Sequence, residues 1–416
     1  MNFLNEINQK IIDKKTNIQD WIIDHSNRVS IPLYTSVDIR ISNFKLAPVD
    51  TNVFPAGFNN LPEFNRICAS KLFREYIAKK YPNSKNILIV PELHTRNPYY
   101  WENIHVIKEI LKKAGFEVSV GIIAEDINKD EFSFDTLSGD PIKAFKIYNE
   151  DHYIKTSVAT PDLILINNDF SIDCPKILSN INQPIEPPIE IGWHSRKKDT
   201  HFDFYNELAN ELANIISIDP WLISIKTQDV QDANFDKDED RLKLADTAGK
   251  LFEELNEEYR ARNINEEPTL FIKSNSGTYG MAVINVKNPE EMKSLNAEKR
   301  KRMRVSKGGK PVRDIVIQEC IPSSLVTENN YVAEPVIYLI DAKVAGGFLR
   351  ANKNKSSIEN LNTRGMEFST LLNKFTKNFQ DDPCLNNIPP AYSIIARTAS
   401  IAAGYEIEKV MKEGGC

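Results

Sequence analysis

The chain has 416 residues, long enough for two or three domains with substantial cores. Against 58 aspartates and glutamates stand 52 lysines and arginines, and the net charge of −6 argues against a general nucleic-acid binder. No run is long and apolar enough for a membrane span, and the five scattered cysteines (Cys68, Cys174, Cys320, Cys384, Cys416), without a CxxC pair, are expected to be free thiols in a reducing cytoplasm.

The opening "MNFLNEINQKIIDKK" is amphipathic and mixed in charge, without the apolar core of a signal peptide, and its spacing predicts helix to about Ser30. The stretch "YTSVDIRISNFKLAPVDTNVFPAGFNNLP" is expected to hold one short alternating strand and then a loop, with a helix following over Glu63–Lys80. "NILIVPE" (Asn86–Glu92) is a buried strand by its unbroken apolar core. Helical spacing over Tyr99–Ala114 ends at Gly115, and "FEVSVGII" and "DLILINND" (Asp162–Asp169) return to strand. Strand, helix, strand in this order predicts an open α/β layer.

The proline-rich "NQPIEPPIEIGW" is a connection, and helix resumes at Phe204. The charged "FDKDEDRLKLADTAGKLFEELNEEYRARN" is a long helix whose acidic run is a solvated face. From Thr269 the texture changes to strands and hairpins: "TLFIKS", "GMAVINV", "IVIQE", "YVAEPVIYLI" and "KVAGGFLRA". A last helix covers "AYSIIARTASIAAGYEIEKVMKE".

One motif sits where that texture changes. In "FIKSNSGTYGMAVINV", Lys273 ends a strand and is followed by Ser274, Ser276, Gly277, Thr278, Tyr279 and Gly280. Such a loop can aim backbone N–H groups and hydroxyls at phosphate oxygens while the lysine supplies charge. An ordinary hairpin turn with glycine at positive φ accounts for it equally well. Downstream, Gln318 and Glu319 are polar residues at the end of an apolar strand, where an adenine can be read; a routine polar strand end is the alternative. The run "KRKRMRVSKGGKPVR" lacks interleaved aromatics and reads as a solvated lid loop. Tyr99, Tyr100 and Trp101 read as core, and His94 as structural, since a zinc site needs several ligands.

Lysine, glycine loop, lid, Gln-Glu hinge and a strand pair closing on arginine occur here in the order of the ATP-grasp ligases, which the chain resembles. "VIYLIDAKVAGGFLRANKNKSSIENLNTRGMEF" is similar to part of bacterial glutathione synthetase, with the family's features falling on Asp341, Arg350, Asn360, Leu361 and Gly365. Lys226 falls where that superfamily places its first ATP-phosphate lysine. The usual C-terminal Glu-x-Asn strand is missing, but Asp50-Thr51-Asn52 could serve in its place near the N-terminus, because residues two apart in an extended segment share a face. Eukaryotic glutathione synthetase, a permuted ATP-grasp enzyme, is similar in this respect, and Arg40 matches its substrate-binding arginine. A turn before proline remains the plain alternative for this segment.

Taken as a set, "VDIRISNFKLAPVDTNVFPAGFNNL", "PELHTRNPYYWENI", "GWHSRKKDTHF", "KSNSGTYGM", "AEPVIYLID", "VAGGFLR" and "NLNTRGMEF" resemble the proteobacterial type of glutamate–cysteine ligase over nearly the whole chain. The resemblance implies an α/β, permuted ATP-grasp fold with an additional open α/β substrate-side domain. It implies an N-terminal segment (1–62) contributing to the site, a substrate-side domain (63–200) and an ATP-grasp domain (201–416) with a lid near 274–317. The implied reaction joins the glutamate γ-carboxylate to cysteine through an acyl phosphate, the first step of glutathione biosynthesis, with ATP and Mg²⁺ as cofactors. An ATP-grasp ligase for another pair of amino acids and a nucleotide-binding protein without turnover are the alternatives.

On this resemblance Lys273 and Arg350 are the catalytic candidates, and Lys226, Lys273, Ser274, Ser276, Gly277, Thr278, Tyr279, Gly280, Gln318 and Glu319 the ATP-binding ones. Asp50 and Asn52 would hold Mg²⁺; Arg40, Asn59, Asn60, Arg96 and Asn360 would bind the amino-acid substrates.

Overall fold

The computed structural model describes residues 3–94, 97–277, 282–304, 311–371, 383–385 and 388–414. Two helices, α1 (Phe3–Asp13) and α2 (Lys15–Arg28), open the chain. The stretch expected to hold one strand and a loop forms two paired strands, β1 (Tyr34–Ile41) and β2 (Leu46–Asn52). Alternation failed as a guide because every residue of β1 is buried: the strand lies inside a sheet with elements packed on both faces.

Helix α3 (Glu63–Lys80) has the expected bounds. After it come β3 (Asn86–Pro91), α4 (Pro98–Lys113), β4 (Glu117–Ile122), β5 (Glu131–Phe134), β6 (Ile142–Lys146), the small pair β7 (Tyr148–Glu150) and β8 (Tyr153–Lys155), β9 (Leu163–Asn167) and β10 (Ile185–Glu186). Helix α4 starts where proline at its first turn and the Asn97 side chain, accepting from Tyr100 N–H at 3.3 Å, satisfy its end. These strands form a six-stranded sheet, ordered β10-β9-β3-β4-β6-β5, in which β3 runs parallel to both neighbours.

Helix α5 (Lys198–Ile216) starts six residues before the expected Phe204. The remainder is β11 (Thr227–Val230), α6 (Asp238–Ala261), β12 (Leu270–Ser274), β13 (Val283–Val286), α7 (Glu290–Lys293), α8 (Ala297–Arg304), β14 (Ile315–Glu319), β15 (Val332–Ile340), β16 (Lys343–Asn352), β17 (Met366–Thr370) and α9 (Pro390–Lys412). Two further antiparallel sheets result. One has four strands, β11-β14-β12-β13; the other has five, β17-β16-β15-β1-β2, and so draws on both ends of the chain.

Packing fixes how these sheets face each other. Val37, Ile39, Ile337 and Leu339 on one face of the five-stranded sheet share a core with α1, α5 and α9. Tyr34, Val336, Tyr338 and Phe348 on the other face join the core of α3 and α4. Helix α9 comes close because its buried positions are mostly small: a Cβ on Gly404 would stand 2.8 Å from Val29 Cγ2. In the four-stranded sheet, Ile272, Ile284, Ile315 and Ile317 pack on Leu244, Leu251 and Leu255 of α6. By strand alternation the opposite face presents Phe271, Lys273, Val283 and Gln318.

The expectation of free thiols fails at three described positions, one of which is Cys174, itself disulfide-bonded. Cys68 of α3 and Cys384 are disulfide-bonded, with Cα atoms 5.7 Å apart, whereas Cys320 is a buried free thiol. The bonded pair is 316 residues apart in sequence and is brought together only by the packing of α3 and residues 383–385 around β16, so spacing could not show it. No described helix is long and apolar enough to cross a membrane.

Candidate active site

A cleft opens between the polar face of the four-stranded sheet and the open end of the five-stranded one. It is lined by Asp38, Arg40, Asp50, Glu334 and Arg350 from the larger sheet, by Phe271, Lys273, Ser274, Gly277 and Val283 opposite, and by Lys198 and Asn360 at its sides. Register explains the grouping. Asp38 is paired with Asp50 across β1 and β2, and Glu334 with Arg350 across β15 and β16. Arg40 lies two residues beyond Asp38, on the same face.

The charges interlock. Arg350 donates from Nε and Nη2 to Glu334 Oε1 at 2.9 and 2.6 Å, and from Nη2 to Asp38 as well. Its Nη1 has no hydrogen-bond partner among the described residues. Arg40 donates from Nε to Glu334 and from its two terminal nitrogens to the carbonyls of Ser357 and Glu359 at 2.8 and 2.7 Å. Burial would raise the Glu334 carboxyl, but the two guanidiniums outweigh it and hold it below the usual range. Burial pushes Asp38 up to about 6 despite Arg350. Asp50 accepts from Lys198 Nζ at 2.5 Å; although burial acts to raise it, Lys198 and Lys273 bring it below the ordinary carboxylate value.

Lys273 stands on the facing sheet. Its Nζ donates to Gln318 Oε1 at 2.5 Å and to the carbonyl of Val49 in β2 at 3.2 Å, and burial brings its pKa down to about 8. Gln318 is fully buried, and its Nε2 has no hydrogen-bond partner among the described residues. Gly277 sits at φ +104, a left-handed conformation that favours glycine.

Of the residues singled out from sequence, the structure brings together Arg40, Asp50, Lys273, Ser274, Gly277, Arg350 and Asn360 in this cleft, with Gln318 behind Lys273. Others fall elsewhere. Lys226 precedes β11 on the side away from the cleft, and its Nζ is bound to Glu254 of α6 at 2.7 Å. The carboxylate of Glu319 is turned to Lys45, because alternation puts it on the face opposite Gln318. Arg40 has all three guanidinium nitrogens engaged within the protein, through three of its five N–H groups, so a pairing with a substrate carboxylate would have to use the second N–H of a terminal nitrogen. Asn59 and Asn60 sit in the turn before α3, and neither they, nor Ser276, nor Asn52 lines the cleft. Arg96, Thr278, Tyr279 and Gly280 lie outside the described residues.

Sequence reading missed four polar cleft residues: Asp38, Lys198, Glu334 and Asn362. Asp38 shares the alternation of "VDIRI" with Arg40, and Glu334 is a carboxylate within an otherwise apolar strand; both are signals for a polar patch on a buried face. Asn275 was also passed over. Its carbonyl and Oδ1 accept from the N–H groups of Lys198 and Asp199, so the loop after Lys273 covers the N-terminus of α5.

The cleft thus gathers three carboxylates and four cationic side chains within one largely buried space. Such hard oxygen donors suit Mg²⁺, which is commonly held by one or two carboxylates together with substrate phosphates. No ready-made cluster of three or more His, Cys, Asp or Glu ligands exists among the described residues, since each carboxylate is committed to a cation. The donor set therefore fits a metal that arrives with a phosphate ligand.

Comparison with known proteins agrees with this picture. The family model described as GshA, glutamate-cysteine ligase, matches residues 8–407. A crystal structure of a "putative gamma-glutamylcysteine synthetase" from Methylobacillus flagellatus KT superposes with a TM-score of 0.87 at 31% identity, covering 98% of this chain and 96% of that one. D-alanyl-alanine synthetase A from Vibrio cholerae (8% identity, 69% and 74% of the two chains, TM-score 0.33) and VanG D-Ala:D-Ser ligase from Enterococcus faecalis (11%, 76% and 83%, 0.35) align too loosely to bear on the fold. Curated protein sequences give no significant match.

Proposed function

The chain belongs to the glutamate–cysteine ligase family, and from that premise we propose that the cleft between its four- and five-stranded antiparallel sheets joins glutamate to cysteine with ATP, through an acyl phosphate. The observation that carries this reading is the meeting of Lys273 from one sheet with Asp50, Glu334 and Arg350 from the other. On this reading residues 201–416 carry the nucleotide, residues 63–200 the amino-acid side, and residues 1–62 strands of the shared floor.

Two anions, the glutamate γ-carboxylate and the γ-phosphate, must approach in a water-poor space. Lys273 and Lys198 would neutralise phosphate oxygens, where a low dielectric makes each charge contact stronger than in water. The carboxylate oxygen attacks the γ-phosphorus, the bond to the bridging oxygen breaks and ADP leaves. Arg350, through its uncommitted Nη1, would hold the charge that gathers on the transferred phosphoryl. The cysteine amine then attacks the acyl carbon, loses a proton and expels inorganic phosphate. Bound Mg²⁺ would supply further charge neutralisation, and Asp50, Glu334 and Asp38 would hold it. Arg40 keeps Glu334 ionised and ties the 357–359 loop to the floor. Positioning and electrostatics suffice for this chemistry, so no enzyme nucleophile is required.

The test is phosphate release with a panel of amino acids. ADP formation that requires both glutamate and cysteine supports the proposal. Dependence on another pair would redirect the substrate assignment, and ATP binding without turnover on any amine would remove the ligase mechanism.

A further inference from the structure

Outside the cleft, the most deeply buried ion pair among the described residues joins the four- and five-stranded antiparallel sheets. Lys45, wholly buried in the turn between β1 and β2, donates from Nζ to both carboxylate oxygens of Glu319, at 2.8 and 2.7 Å. The turn itself is stiff: Ser42 N–H donates to the Lys45 carbonyl at 2.8 Å, and Ser42 Oγ accepts from the N–H groups of Phe44 and Lys45. The ammonium also lies 4.1 Å from the centre of the Trp221 ring. Glu319 ends β14, and its backbone N–H donates to the Lys226 carbonyl at 2.9 Å while its carboxylate accepts from the Lys226 N–H at 3.2 Å. One carboxylate thus gathers the β1–β2 turn, the end of β14 and the approach to β11.

This pair closes a ring of contacts on the cleft. Four residues along β2 from Lys45, the Val49 carbonyl accepts from Lys273 Nζ; that nitrogen also donates to Gln318, whose chain neighbour is Glu319. The path runs from Lys45 through Val49, Lys273, Gln318 and Glu319 back to Lys45. Two bridges therefore join the sheets, one at the root (Lys45 with Glu319) and one at the phosphate lysine. A buried ion pair is a poor way to gain stability, because desolvation consumes most of the Coulombic attraction and apolar residues of similar volume hold a core at least as well. Its distinct property is direction: two short hydrogen bonds fix the separation and angle of the groups that carry it.

We propose that Lys45 is a positioning residue, which through Glu319 and Gln318 sets the height of Lys273 over β2 and so the fit of the cleft to the nucleotide. This rests on the ATP-dependent reading above. It also accounts for a carboxylate at the end of the hinge strand that faces away from the cleft.

The experiment compares wild-type enzyme with Lys45→Met, with the double variant Lys45→Met/Glu319→Met, and with Glu319→Gln, measuring melting temperature, kcat and the KM values for ATP and glutamate. Lys45→Met leaves an unpaired buried carboxylate and is expected to melt early. The double variant removes both charges and is expected to regain most of that stability, yet to keep a KM for ATP raised about tenfold, with the KM for glutamate unchanged. A stable double variant with wild-type kinetics for ATP would overturn the proposal, since the pair would then serve stability alone. Should the double variant fail to fold, Glu319→Gln, which keeps shape and acceptor oxygen, is expected to raise the KM for ATP about threefold; an unchanged value overturns the proposal. Absence of ATP turnover in the wild-type enzyme is a separate outcome, which removes the ATP-dependent reading and with it this role for Lys45.

Discussion

Lys198 Nζ lies 2.5 Å from Asp50 Oδ1, so the first residue of α5 is tied to β2 on the floor of the cleft. Asp50 is thereby kept ionised in a half-buried setting, as a metal-phosphate ligand must be, with its second oxygen outside that contact. Asp50→Asn keeps the shape and removes the charge. The Mg²⁺ concentration for half-maximal turnover should rise by at least about tenfold, the loss that even an outer partner of a metal site costs. A titration of rate against Mg²⁺ decides it; an unaltered curve would exclude Asp50 from the metal site.

Lys273 is the clearest candidate for transition-state charge stabilisation, because it bridges the facing sheets and, among the described residues, touches no carboxylate in hydrogen-bond range. Lys273→Met should lower kcat by about 10²–10³-fold, the scale found on removing one preorganised charge-stabilising donor. Since burial already disfavours its ammonium, the variant should melt no earlier than the wild type. Stopped-time ADP assays with parallel calorimetry would check both halves. A kcat within a few-fold of wild type would take Lys273 out of the mechanism.

These two residues mark what the sequence could and could not convey. Lys273 and Gly277 were legible because a lysine closing an apolar strand before a glycine loop is a local pattern. Asp50 was legible only through resemblance, yet β2 does hold it extended. Glu334 and Asp38 were not legible, since a single carboxylate in an apolar strand gains meaning only when register sets it opposite an arginine from another strand. Arg40 was found without its neighbours: sequence shows that a guanidinium is present but not that Glu334 and two carbonyls accept from it. The strands β5 to β8 and β17 are short or exposed and have no apolar run to announce them. The bond between Cys68 and Cys384 depends wholly on tertiary packing.

Lys226 offers a direct contrast with Lys273. Resemblance gave both a phosphate role, but Lys226 pairs with Glu254 on the outer side of the four-stranded sheet, and both partners are partly exposed. Such a pair contributes about 0–1 kcal/mol. Lys226→Ala should therefore leave kcat and the KM for ATP within about twofold of wild type. A loss comparable with that of Lys273→Met, in the same steady-state assay, would show that Lys226 swings into the cleft when nucleotide binds.

The last prediction concerns acid stability and a pair beneath the cleft floor. Arg196 donates from Nε and Nη2 to the two oxygens of Glu406 at 2.9 and 2.7 Å, and from Nη1 to the Thr51 carbonyl at 3.1 Å. This fork links the segment before α5 to α9 and to the strand that carries Asp50. Burial alone would raise the Glu406 carboxyl, but Arg196 and, after it, His201 outweigh that and hold it at about 2, below the ordinary 4.5. A carboxyl with a depressed folded-state pKa contributes stability that is present above the unfolded value and lost as pH falls toward the folded one. The contribution is on the order of 3 kcal/mol, complete above about pH 5 and more than half gone by about pH 3. Urea denaturation of the wild type and of Glu406→Gln at pH 7 and pH 3 isolates it. The stability gap between the two proteins should be wide at pH 7 and narrow as Glu406 and its unfolded counterpart protonate. A gap of constant width across that range would mean that the buried fork does not hold Glu406 ionised.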